Sequence, residues 1–206
     1  MEENENTELV EAAGVIETRG SQEALDRIIR GHVLWSMGAG FIPIPLFDIA
    51  AVTAIQMDAL KKLADEEGVD YSTDGGKQFV TALTGGTFAR LGASLLKGIP
   101  GVGSVVGGLS MSAMSAASTY AVCQVAISHF RSEGGFISAD LDQAKRLYEK
   151  ALEKGKAFVK KLEEEINPQQ AKKVYENLDQ LKSLHDEGVL TDAEYEEKKT
   201  QLLAKL

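Results

Sequence analysis

Three histidines, His32, His129 and His185, and one cysteine, Cys123, are the residues of this 206-residue chain best suited to bind a metal or attack a substrate. They stand far apart, and no Cys or carboxylate completes a ligand set around any of them at metal-site spacing. A lone thiol cannot close an intramolecular disulfide, which fits a reducing cytoplasm. Flanked by Ala121, Val122 and Val125, Cys123 reads as a small buried hydrophobe. The many serines offer no Ser, His and acid arrangement; in a neutral helix they are expected to pack or bond to the preceding turn. The run Asp65-Glu66-Glu67 reads as a solvated helix end. No catalytic, cofactor-binding or metal-binding residue is assigned, no cofactor is implied, and the chain is expected not to be an enzyme.

Phosphate chemistry is no better served. Residues 75–79, GGKQF, lack the leading glycine and the hydroxyl of a G-x-x-x-x-G-K-[ST] loop. Gly101 and Gly103 are not followed by the third glycine of a dinucleotide fingerprint, and no strand precedes them. A net charge of −9 argues against a nucleic-acid partner, because phosphate binding needs clustered Lys and Arg. Apolar residues at 44% and charged residues at 26% are ordinary for a globular chain, but charge collects at the two ends and glycine in the middle.

The sharper signal is physical. Ser104, Gly108, Ser112 and Ala116 recur every fourth residue, with Ala113, Ala117 and Ala121 beside them. On a helix these form smooth stripes that admit another backbone closely, the small-xxx-small logic of membrane helices. Residues 99–127 carry no charge and exceed the ~20 residues that cross a bilayer core, with Lys97 and Arg131 at the two interfaces. Against insertion stand five serines, Thr119, Tyr120 and Gln124, with few Leu, Ile or Val. Two readings therefore stand: a helix that faces lipid, or a soluble bundle with a tight glycine-alanine core. Residues 31–47 are also uncharged but hold two prolines, and Asp48 would cost about 2.5–3.5 kcal/mol at a bilayer centre. Trp35 suits either a headgroup-level anchor or a core position. Basic residues flank both apolar regions, so membrane orientation is not decided.

The elements that must position these residues are helices throughout. A first helix starts near Ser21 and ends at Gly38 or Gly40. A second starts at Pro45, where a missing N–H is harmless, and stops at Gly68. In that helix Ile49, Val52, Gln56, Met57, Leu60, Leu63 and Ala64 share a face. YSTDGG reads as a turn, and the helix after it as weakened or kinked at Gly85-Gly86. The long neutral helix spans about 102–130. From residue 140 to 165, Leu141, Ala144, Tyr148, Ala151, Gly155, Phe158 and Leu162 make a narrow apolar seam. That seam serves either a coiled-coil partner or the chain's own core. The tail is a helical hairpin: Val174, Leu178, Leu181 and Leu184 line one helix, and Gly188 ends it. Thr191 and Glu194 form a capping box, with Leu190 and Tyr195 at staple positions, and Leu202, Leu203 and Leu206 complete the second helix. So small a hairpin needs a partner surface. The fold class is all-α: a bundle of apolar, small-residue-rich helices, a long charged amphipathic helix and a C-terminal two-helix hairpin.

Two segments resemble known families. Residues 28–130, with GFIPIPLFD and IPGVGSVVGG as distinctive pieces, resemble the bacterial YcjF-like domain, a domain of unknown function often attached to Era-like GTPase modules and associated with membranes. The tail QLKSLHDEGVLTDAEYEEKKTQLLAKL resembles the SHOCT (short C-terminal) hairpin, which implies oligomerisation or partner contact through Leu178, Leu181, Leu190, Thr191, Glu194, Tyr195 and Leu202. Four parts follow: a disordered acidic N-terminus over 1–20 without signal-peptide character, a YcjF-like domain over 21–135, a charged helix over 136–167 and the hairpin over 168–206. The expected function is a membrane-associated, self-assembling helical protein on the cytoplasmic side of the inner membrane, integral or peripheral. Its expected partners are a second copy of itself, membrane lipid, and a GTPase that would have to be a separate chain. The alternative is a soluble cytoplasmic adaptor for such a GTPase.

Overall fold

Ser21 opens the first helix by accepting the Ala24 N–H on its hydroxyl at 3.1 Å, the exchange that satisfies an otherwise orphaned donor. The computed structural model describes residues 20–39, 45–96, 111–133 and 141–206, with side chains for 20–38, 50–86, 112–132 and 142–206. Within them lie seven helices and no strand: α1 (Gln22–Ala39), α2 (Pro45–Glu67), α3 (Thr73–Leu96), α4 (Met111–Glu133), α5 (Leu141–Glu165), α6 (Pro168–Asp186) and α7 (Asp192–Leu203). The acidic N-terminus, the loop before Pro45, Lys97, Ser104 and Gly108 fall outside the described residues. The chain is all-α, as the periodicity predicts.

One local expectation needs correction. YSTDGG is not a free turn: the Ser72 hydroxyl accepts the Gly75 N–H at 3.3 Å, and Thr73 to Gly76 form the first turn of α3. Asp74 in that turn complements the helix dipole, which offsets the poor helix propensity of two glycines. The helix then passes through Gly85-Gly86 without a break.

Helix α4 is the centre of the bundle, packed against α5, α1 and α2, with α3 lying across α2, α4 and α5. This is why its sequence is neutral all round: Ala113, Ala116, Ala117, Ala121, Val122, Cys123 and Ala126 are buried among neighbouring helices. The seam of α5 lies on this helix of the same chain. Ala144, Tyr148, Ala151, Gly155 and Leu162 are buried as the pattern predicts, with Val159 fully buried where Phe158 was expected; Phe158 is half-buried against Tyr120. A Cβ on Gly155 would sit 2.6 Å from the Ala117 carbonyl oxygen, so only glycine allows this approach.

Beside the apolar core, hydroxyls also tie the helices together. Ser36 and Thr119 share a hydrogen bond of 2.7 Å between α1 and α4. The buried Gln56 amide of α2 donates to Ser118 at 3.1 Å and Thr119 at 3.3 Å, and Ser118 meets the Tyr148 hydroxyl of α5 at 2.9 Å. Ser112 donates to the Met37 carbonyl. These serines therefore bond across helices rather than to their own preceding turn, because α4 is surrounded by polar partners at close range. Such networks, when buried, specify one arrangement of helices.

The acidic end of α2 also departs from expectation. Glu67 is not solvated: its side chain is 2% exposed and takes the Arg131 guanidinium at 2.8 Å, closing α2 onto the end of α4. Among the described residues no helix is long and apolar enough to cross a membrane.

Candidate functional site

The body of the bundle meets the terminal hairpin through charge. On α2, Asp58 and Lys62 are one turn apart and paired at 3.1 Å. From α1, His32 donates Nε2–H to Asp58 at 2.9 Å, and its Nδ1 lies 2.7 Å from the Ile28 carbonyl. With both ring nitrogens engaged, His32 ties Asp58 of α2 to the backbone of α1. From α7, Glu196 accepts Lys62 at 2.6 Å and also binds Lys199.

Lys199 is the centre of the arrangement. It is 3% exposed, its ammonium lies 3.9 Å from the Trp35 ring centroid and 5.3 Å from that of Tyr195, and Asp58 is 3.6 Å away. Burial lowers its pKa, and the bond to Glu196 and the charge of Asp58 only partly oppose that. Burial would raise Asp58, but the His32 hydrogen bond and the charges of Lys199, His32 and Lys62 hold it well below the usual carboxylate range. Lys62 is raised because its bonds to Glu196 and Asp58 outweigh burial. Tyr195 is pushed up to about 12 by burial and by Glu196, Asp58 and Asp186. The alternating signs form a closed ring that fixes where α7 can sit.

Apolar contacts complete the dock. The Tyr175 ring of α6 lies on Gly38 of α1 with no room for a Cβ between them, and Val174, Leu178 and Leu203 join the main core. Asn167 caps α6 by accepting the Gln169 N–H at 3.0 Å, with Pro168 in the first turn. Gly188, at φ +73°, ends the helix pair's first member in a conformation that other residues resist. Thr191 and Glu194 form the capping box: the Thr191 N–H donates to Glu194 at 3.0 Å, and the Glu194 N–H donates to the Thr191 hydroxyl at 3.3 Å. The Thr191 backbone and hydroxyl bonds lower the Glu194 pKa. Tyr195 stacks on His185 at 4.4 Å.

The structure thus places the sequence-derived residues in two settings. Of the stripe, Ser112, Ala113, Ala116, Ala117 and Ala121 are buried inside the chain's own bundle, and Ser104 and Gly108 lie outside the described residues. Of the hairpin residues, Leu178 and Leu181 are buried, Leu190, Tyr195 and Leu202 half-buried, and Thr191 and Glu194 exposed. Sequence reasoning missed His32, Asp58, Lys62, Glu196 and Lys199 as a group. The only advance signal was the Asp58–Lys62 pair one turn apart; nothing in a Lys of a charged tail marks it for burial under Trp35. Cys123 is fully buried, which pushes its thiol up to about 12 and leaves it inert. Among the described residues no group of His, Cys, Asp and Glu is arranged to hold a metal ion.

Comparison with known proteins agrees with the tail. Residues 176–203 match the short C-terminal domain family, SHOCT. No solved structure matches the chain. Magnetosome membrane protein 22 of Magnetospirillum gryphiswaldense is 33% identical over 148 residues, which cover 69% of this chain and 76% of that protein. At that identity and coverage, the chain belongs to the family of magnetosome membrane protein 22.

Proposed function

We propose that the chain is a non-enzymatic, membrane-associated helical protein whose C-terminal hairpin serves in assembly or partner recruitment. One observation carries the membrane part: 76% of a protein named for a membrane aligns with this chain at 33% identity. The polar groups brought together at the dock support the non-enzymatic part, since each is engaged by a neighbour within the chain. The described part of the small-residue stripe is buried within the chain's own bundle, which favours surfaces outside it for self-assembly. The hairpin's outer face is the foremost of these: Leu184 is 41% and Val189 63% exposed. A soluble adaptor role toward a separate GTPase has the resemblance of residues 28–130 as its only support.

Fractionation of the expressed protein tests the reading, with an alkaline carbonate wash of the membrane pellet. Sedimentation with membranes supports it, and release by carbonate makes the association peripheral. Recovery in the soluble fraction alone sinks it.

A further inference from the structure

Helix α5 buries one seam against α4 and turns another to solvent. Gln143, Leu147, Lys150, Lys154, Ala157 and Lys161 are spaced alternately four and three apart, and all are exposed. Arg146 borders this ridge. From residue 143 to residue 161 the ridge itself holds no acidic residue. The neighbouring carboxylates Asp142, Glu149, Glu153 and Glu164 lie round the helix on one flank, and Glu153 is drawn to Lys156 at 2.7 Å. At the ridge's end Glu165 is shared by Arg30 and Lys161, each at 3.8 Å. Arg146, Lys150 and Lys154 have no ion-pair partner among the described residues, and Leu147 between them is 38% exposed.

We propose that this ridge is the face by which the protein lies on an anionic lipid surface. The inference rests on the membrane association proposed above and assigns it to a place. A basic face with interspersed apolar side chains suits the headgroup plane, and basic residues near an anionic leaflet each add about a fivefold gain in binding. The net charge of −9 does not forbid this, because charges more than ~10 Å from the surface are screened at ordinary salt. The hairpin's own lysines are less suited, since Lys172 and Lys182 already face Glu176 and Asp186 one turn on.

Flotation of the purified full chain with phosphatidylcholine vesicles, with and without phosphatidylglycerol, tests the assignment. The ridge triple Arg146→Glu, Lys150→Glu, Lys154→Glu is compared with a control triple of equal charge change, Lys172→Glu, Lys173→Glu, Lys182→Glu. Circular dichroism and Tm confirm that both fold. The expected result is salt-sensitive binding only to vesicles with phosphatidylglycerol, lost about tenfold or more in the ridge triple and less than twofold in the control. Equal loss in both triples, binding that ignores phosphatidylglycerol, or no binding at all overturns the proposal. If cell fractionation finds the ridge triple on membranes as fully as the natural chain, the ridge is dismissed while membrane association stands. A natural chain found only in the soluble fraction dismisses the membrane association instead.

Discussion

Asp58 faces two lysine ammoniums and the His32 ring, and Lys199 faces two carboxylates, so the two ends of this ring are not equivalent. Removing the carboxylate leaves Lys62 and Lys199 without a shared counter-charge and His32 without its charged acceptor. Asp58→Asn is therefore expected to destabilise by about 3 kcal/mol, the scale of a broken buried pair. Lys199 is disfavoured by its own burial, so Lys199→Met keeps the stem under Trp35 and removes a desolvated charge. Its expected loss is about 1 kcal/mol, and urea unfolding of the two variants would reverse this order if Lys199 dominated the ring. The same residues set an acid limit. Asp58 and Glu196 are both lowered in the fold, so the unfolded chain binds protons first as pH falls below their ordinary values of about 4. Their stabilisation is complete above that range and is lost toward their folded values. The lowered Lys199 stays charged throughout this range and adds nothing to the slope. Tm should therefore fall between about pH 5 and pH 2, and more gently in Asp58→Asn. Parallel curves for the two proteins would place the acid sensitivity elsewhere.

At the scale of helices, glycine distinguishes contact from spacing. Gly155→Ala places a Cβ 2.6 Å from the Ala117 carbonyl oxygen, and backbone cannot yield as a side chain would. Overpacking of about 1–3 kcal/mol should outweigh the gain in helix propensity of about 1 kcal/mol, leaving a net loss. Gly31→Ala meets nothing within 4 Å and should stabilise by about 0.5–1 kcal/mol. Thermal denaturation of both variants checks the opposite signs. Much at this scale was legible beforehand. The end of α2 at Gly68, the seam of α5 and the capping box at Thr191 and Glu194 all follow from local spacing. What stayed hidden depends on chain segments far apart in sequence. Glu67 reads as solvent-facing until α4 brings Arg131 to it, and Lys199 reads as a surface charge until α1 supplies Trp35. Likewise the serines of α4 show no preference for partners until α1, α2 and α5 surround them.

For the whole molecule, the hairpin has two faces with different consequences. Its inner face is part of the body's core, through Val174, Tyr175, Leu178 and Leu203. Deleting residues 168–206 would uncover Gly38 and Trp35 and leave Asp58 and Lys62 without their α7 partners. Loss of assembly in such a truncation would therefore report unfolding as readily as a lost interface. The outer face separates the two. Leu184 and Val189 are exposed there, and Leu184 lines a groove of about 280 Å³ with Leu181, Leu202, Lys198 and Lys205. Leu184→Glu with Val189→Glu changes this face without touching the ring at Asp58 or the contact of Tyr175 with Gly38. Surface substitutions of this kind shift stability by about 0.5 kcal/mol or less. If the hairpin holds copies together through its outer face, the double variant should keep the natural Tm and shift to a smaller species in light scattering. Unchanged mass at unchanged Tm would confine the hairpin to bracing its own bundle, and the assembly role would pass to another surface.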